Sequence, residues 1–108
     1  MRIHFDEDAP RPLRRYLIGH DVRTAQEMGW AGVQNGALLS LVEQSGFDVL
    51  LTFDQNLRHQ QNLSGLQFAL LVVIAPNKRM ETLTPHAQAL LSLLQTVKPG
   101  QGYEFSIK

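Results

Sequence analysis

The chain has 108 residues, 44% of them hydrophobic, and its ten Lys and Arg residues balance ten Asp and Glu residues. This length and hydrophobic content predict a single domain with a real core. The zero net charge excludes a global positive field, so any contact with nucleic acid has to be local. The absence of cysteine excludes a disulfide scaffold, a zinc finger and a thiol nucleophile.

The amino-terminal segment MRIHFDED lacks the basic and apolar regions of a secretory signal, which predicts a cytoplasmic protein. The longest apolar run, residues 68–75, is far shorter than the roughly 20 residues that cross a bilayer. It predicts an interior strand and no membrane association.

The first half of the chain alternates short strands and helices. A strand over 2–5 ends at three acids, of which Asp8 is expected to cap an amphipathic helix over about 10–18. A second strand over 20–24 precedes a helical turn and a bend at 25–33, and a helix starts at Asn35.

The second half continues the alternation, with a polar loop and one long helix between its strands. Strands are predicted over 48–53, 67–75 and 103–107, a polar loop over 55–65, and a leucine-rich helix from 84 to about 98. Because parallel strands need crossover connections, this order predicts an α/β fold with a mostly parallel central sheet.

Two carboxylates follow directly after strong strands, Asp6 and Asp54. Ligands of open parallel sheets bind at the carboxyl ends of the strands, and neighbouring strands would place these acids about 5 Å apart. Close carboxylates repel each other, which either raises one pKa or recruits a divalent cation such as Mg²⁺ or Mn²⁺. The alternative is that each acid only caps a helix or closes a turn.

Four segments occur in a specific order and spacing: IHFDED, GHDVRTAQEMGWAG, NGALL and FDVLLTFDQNL. As a set they resemble the short bacterial PIN-like proteins, a branch of the PIN-domain superfamily, over residues 1–75. The resemblance implies a three-layer α/β/α sandwich whose acids bind Mg²⁺ or Mn²⁺ and cut single-stranded RNA. It also implies the toxin of a toxin–antitoxin pair, held inactive by a small antitoxin protein.

The family's site residues map onto four positions of this chain. Asp6 and Asp54 match the two strand-end acids and are the implied metal ligands. Asn35 and Asn56 stand where the family usually has further acids. An asparagine coordinates a cation through its carbonyl oxygen or orients a water, but it brings no charge. The resemblance therefore implies a catalytic set of Asp6, Asp54, Asn35 and Asn56 with a reduced negative charge.

Two groups of basic residues are candidates for substrate binding. Arg11, Arg14 and Arg15 share one face of the predicted first helix and would attract phosphates. Arg58 and His59 lie in the polar loop after Asp54, where His59 is placed for proton transfer or phosphate contact. The alternative for both groups is a solvated surface.

Three functions remain open from the sequence. The first is a metal-dependent ribonuclease, and the second is a catalytically weakened PIN-like module that binds RNA or a protein partner. The third is a structural or assembly subunit that forms a homodimer through the helix 84–95.

Overall fold

The computed structural model describes residues 1–60 and 62–108, without the side chains of residues 58–60. Within those residues, strands are found at Arg2–Phe5 (β1), Asp21–Thr24 (β2), Val49–Thr52 (β3), Ala69–Ile74 (β4) and Gly102–Ser106 (β5). They form one sheet in the order β2-β1-β3-β4-β5, and every neighbouring pair is parallel. The predicted α/β fold is therefore confirmed, with a sheet that is parallel throughout.

The connections between the strands are largely helical, as a parallel sheet requires. The α-helices are Ala25–Met28 (α1), Asn35–Gln44 (α2), Gln55–Gln60 (α3), Met80–Leu83 (α4) and Ala87–Leu94 (α5). Short 3₁₀ helices lie at Arg11–Tyr16 and Thr84–His86. In the described part of the chain, none of these helices has the length and apolar character needed to span a membrane.

Three predicted connections are wrong in type or extent. The first helix is a 3₁₀ helix over Arg11–Tyr16, with Pro10 at its N-cap and Pro12 in its first turn. The predicted polar loop 55–65 starts as α3, because Asp54 caps it and Leu57 is fully buried on its inner face. The last helical region begins at Met80, before the predicted start at Thr84.

Alternate side chains of the central strands enter two separate hydrophobic clusters. The first cluster contains Leu51 and Leu71 and receives Leu13, Leu90 and Leu94 from helices. The second contains Leu50, Leu70 and Val72 with Leu38, Leu39, Val42 and Leu57. Leu90 and Leu94 are 2% and 1% exposed, so these two leucines of the helix 84–95 pack in the chain's own core. A homodimer through other positions of that helix stays a prediction.

Candidate functional site at the carboxyl ends of β1 and β3

The register of β1 and β3 decides which residue lies beside Asp6. Phe5 pairs with Leu51, and the Asp6 N–H continues the ladder by donating to the Leu51 carbonyl over 2.9 Å. Thr52 is therefore the residue beside Asp6, and Asp54 lies two positions further along. The prediction that the ends of β1 and β3 lie together is right, but it did not include Thr52.

Thr52 is the centre of a hydrogen-bonded cluster at this edge of the sheet. Its side chain is fully buried, and its hydroxyl donates to Asp6 Oδ2 over 2.8 Å. The same oxygen accepts the Asp54 backbone N–H over 3.1 Å and lies 3.4 Å from both carboxylate oxygens of Asp8. The hydroxyl thus donates its single proton to Asp6, and the Asp8 carboxylate lies close to the same oxygen.

Asp8 is the site residue that the sequence assigned to another role. It was expected to cap the first helix, but that helix is preceded by Pro10 without any side-chain cap. Instead, Asp8 Oδ1 accepts the Phe53 N–H over 3.1 Å. Residues 7 and 8 form a turn, closed by the Ala9 N–H that donates to the Asp6 carbonyl over 2.9 Å, and this turn leaves Asp8 beside the end of β3.

The surroundings of Asp8 disfavour its charge. Burial raises the pKa of the Asp8 carboxyl above its ordinary value of 3.8, and the neighbouring Asp6 charge adds to that rise. The Phe53 N–H, the Lys78 ammonium and the Thr52 hydroxyl act in the opposite direction but do not cancel it. The fold therefore holds a half-buried carboxylate beside a second one, at a cost in stability.

We expect Asp8→Asn to raise the free energy of unfolding at pH 7. Asparagine keeps an oxygen that accepts the Phe53 N–H but removes the buried charge and its repulsion with Asp6. Since the folded-state pKa of Asp8 is raised, the wild type loses stability as pH rises through that value. Denaturant unfolding at several pH values should show a gain at pH 7 that shrinks towards pH 3.8. A variant that is less stable than the wild type at pH 7 would contradict this account.

Asp54 and Asn56 are partly committed to the start of α3. Asp54 Oδ1 accepts the Asn56 backbone N–H over 3.0 Å, and the Asp54 carbonyl accepts the Leu57 N–H over 3.2 Å. This is the geometry of a helix N-cap. The Asn56 side chain is exposed, and Asn35 is half-buried as the first residue of α2. Among the described residues, no side-chain hydrogen bond joins either asparagine to the Asp6–Thr52–Asp8 cluster.

Two of the three arginines of the first 3₁₀ helix are paired with a single acid. Arg14 Nη1 lies 2.8 and 3.0 Å from the two Glu27 oxygens, and Arg11 Nη2 lies 3.5 Å from Glu27 Oε2. Residues three apart are eclipsed in a 3₁₀ helix, which explains why this pair faces the same carboxylate. Arg15 is exposed and, with the other two and Pro12, lines a surface cavity of about 260 Å³.

Glu27 is itself fixed at the carboxyl end of β2. It forms a reciprocal capping pair with Thr24, whose backbone N–H donates to Glu27 Oε1 over 3.0 Å. That N–H and the Arg14 guanidinium lower the pKa of Glu27 to about 2. The arginine cavity therefore lies at the same edge of the sheet as Asp6, but two of its cations are already paired.

Glu7 lies between Asp6 and Asp8 in the sequence but bonds outside the cluster. Glu7 Oε2 accepts the Gly32 N–H over 3.0 Å, which ties the bend before α2 to the end of β1. The side chains of Arg58 and His59 lie outside the described residues, so their predicted contacts with substrate stay predictions.

Carboxylate oxygens are the type of ligand that a hard cation prefers, but the cluster offers few of them. Among the residues that the structure describes, no three His, Cys, Asp or Glu side chains are placed to hold one metal ion together. Mg²⁺ is commonly held by one or two carboxylates, with water and substrate phosphate completing its shell. The Asp6 and Asp8 carboxylates, which lie next to the Thr52 hydroxyl, fit such an open site.

Comparison with known proteins leaves the family unassigned. No protein-family model, curated protein or solved structure matches this chain.

Proposed function

We propose that the chain is a metal-dependent ribonuclease of the PIN-like type that cuts single-stranded RNA. The observation that supports it best is the pair of carboxylates, Asp6 and Asp8, that both lie next to the buried Thr52 hydroxyl at the carboxyl edge of a parallel sheet. A fold retains such a repulsive pair at a stability cost when the pair has a role other than packing.

In this proposal Asp6 and Asp8 hold Mg²⁺ or Mn²⁺, and Asp54 adds a carboxylate from the start of α3. A cation held by these carboxylates would supply an activated water and would neutralise charge on the scissile phosphate. Thr52 fixes the orientation of Asp6 and the position of the Asp54 backbone through its hydroxyl. The proposal assigns to Asn35 and Asn56, which are not bonded to the cluster, the orientation of water or RNA.

The toxin role, with a small antitoxin protein as partner in the cytoplasm, belongs to the same proposal. A second candidate is a module that binds RNA or a protein without cutting it. The small number of grouped metal ligands among the described residues favours this second candidate.

The test is cleavage of an end-labelled single-stranded RNA by the purified chain, with Mn²⁺ or Mg²⁺ in one arm and excess chelator in the other. The ribonuclease proposal expects metal-dependent cleavage that a duplex of the same sequence resists. Binding of the RNA without cleavage in either arm would support the non-catalytic module instead. A chain that neither binds nor cuts the RNA would contradict the ribonuclease and the RNA-binding form of the module.

A further inference from the structure

Lys78 is a cation beside the acid pair that no sequence motif singles out. It lies four residues after the end of β4, at the same carboxyl edge of the sheet as Asp6 and Asp8. Its Nζ lies 5.6 Å from the centre of the Phe53 ring, within the range of a cation–π contact. The side chain is exposed, so its ammonium faces solvent at the rim of the cluster.

Phe53 links this ammonium to the acids. Its backbone N–H donates to Asp8, and its ring is in contact with the Lys78 ammonium. The Asp8 carboxylate and the Lys78 ammonium therefore lie on two sides of Phe53. The Lys78 charge lies close enough to Asp8 to act on that carboxylate through space. Among the described carboxylates, however, none forms an ion pair with Lys78. The ammonium keeps its hydrogen-bond donors available for another anion.

The charge balance of the cluster favours an incoming phosphate at this position. Two carboxylates next to each other repel a phosphodiester, so a substrate phosphate needs a cation on its open side. Arg11 and Arg14 are paired with Glu27, whereas Lys78 is without such a partner in the described part of the chain. A lysine is a suitable point charge for phosphate, and its exposed stem lets it follow a flexible strand.

We propose that Lys78 binds a backbone phosphate of single-stranded RNA next to the Asp6–Asp8 pair. This inference rests on the proposed function for its ligand, but it concerns binding and is testable without cleavage. The phosphate lies between the ammonium and the acids, with Phe53 holding the ammonium in place.

The experiment measures binding of a short fluorescent oligouridine by anisotropy in excess chelator, over a series of KCl concentrations. In single strands each phosphate contact contributes about 0.7 to the slope of log affinity against log salt. We expect Lys78→Gln to weaken binding about 10-fold and to lower the slope by about 0.7. Lys78→Arg, which keeps the charge, should retain most of the affinity and the full slope.

Lys98→Gln is the matched control. Lys98 is also exposed, but it precedes β5 and so lies at the amino end of the sheet. Lys98→Gln should bind the oligouridine with the affinity and the salt slope of the wild type. Weaker binding by Lys78→Gln with an unchanged slope would assign Lys78 to holding Asp8 in place and would overturn the inference. So would a wild-type chain that does not bind the oligouridine.

The two proposals fail separately. A chain that binds RNA through Lys78 but never cuts it with Mn²⁺ contradicts the ribonuclease and leaves the phosphate contact standing. A chain that cuts RNA equally well with Lys78 or Gln at position 78, in both KM and kcat, contradicts the phosphate contact alone.

Discussion

Asp6→Asn is expected to lower metal-dependent cleavage of single-stranded RNA by about 100-fold or more, because even residues that only support metal ligands change activity by about 10- to 100-fold. Asparagine matches the shape of Asp6 and still accepts the Thr52 hydroxyl, so the cluster keeps its hydrogen bond while losing a charge. The measurement is the initial cleavage rate at saturating Mn²⁺, together with a Mn²⁺ titration followed by thermal stability. The wild type should be stabilised by Mn²⁺ and Asp6→Asn should not.

Two further variants separate a metal-site effect from a general one. Asp54→Asn keeps the α3 cap, because asparagine caps helices as well as aspartate does. In the wild type, Asp54 Oδ1 accepts the Asn56 N–H, and the asparagine oxygen can take over this bond. We expect a smaller loss there than at Asp6. Asp48→Asn is the control, since Asp48 Oδ2 accepts the Arg2 N–H at the opposite end of β3. Full activity in Asp6→Asn, or equal loss in Asp48→Asn, would remove Asp6 from the site.

The inner strands of the sheet were predictable because they are short, mostly apolar and followed by strong turn signals. The segment 2–5 matches β1 over its whole length, since the acids that follow it stop a buried run. The run Val49–Thr52 is buried at every position, which is the pattern of a central parallel strand. Here local sequence and tertiary burial favour the same structure.

The type and length of the helices could not be predicted from hydrophobic periodicity alone, because they depend on tertiary contacts. The 3₁₀ helix Arg11–Tyr16 places Arg11 and Arg14 on one side because of its three-residue turn, whereas an α-helix would group Arg11 with Arg14 and Arg15. The helix α3 has almost only polar residues, and Leu57, buried against the second cluster, anchors it.

The candidate site was half predictable for a similar reason. The sequence identified the ends of β1 and β3, but the β1–β3 register placed Thr52 beside Asp6. Asp8 was assigned to a cap because acids before prolines commonly serve there. Lys78 lies in the connection after β4, the strand next to β3 in the sheet, and only the folded chain brings it to Phe53.

His4 gives the largest expected effect of pH on stability. Its ring is fully buried in β1 between Trp30 and Phe47, with ring centres 4.9 and 5.2 Å away. Neither ring nitrogen has a hydrogen-bond partner among the described residues. Burial lowers the pKa of His4 from 6.5 to about 4, because the charged ring would lose its hydration without gaining a partner.

The pH dependence follows from that depressed pKa. Between pH 6.5 and about 4 the unfolded chain binds a proton at His4 that the folded chain excludes, so the free energy of unfolding falls as pH falls. The full difference amounts to roughly 3 kcal/mol. The raised pKa of Asp8 opposes this trend in the lower part of the range, so the comparison has to be made between variants rather than on the wild type alone.

We expect His4→Leu to remove this His4 contribution and to raise stability at pH 7 by about 1 kcal/mol, since it also removes two unpartnered nitrogens. His4→Gln should lose the same pH dependence without that gain, because its amide is polar but does not titrate. His86→Gln, in the second 3₁₀ helix, should keep the wild-type dependence. Urea unfolding of the four chains from pH 7.5 to 4 measures all of these. If His4→Leu loses as much stability as the wild type over that range, the buried neutral ring is not the source of the acid sensitivity.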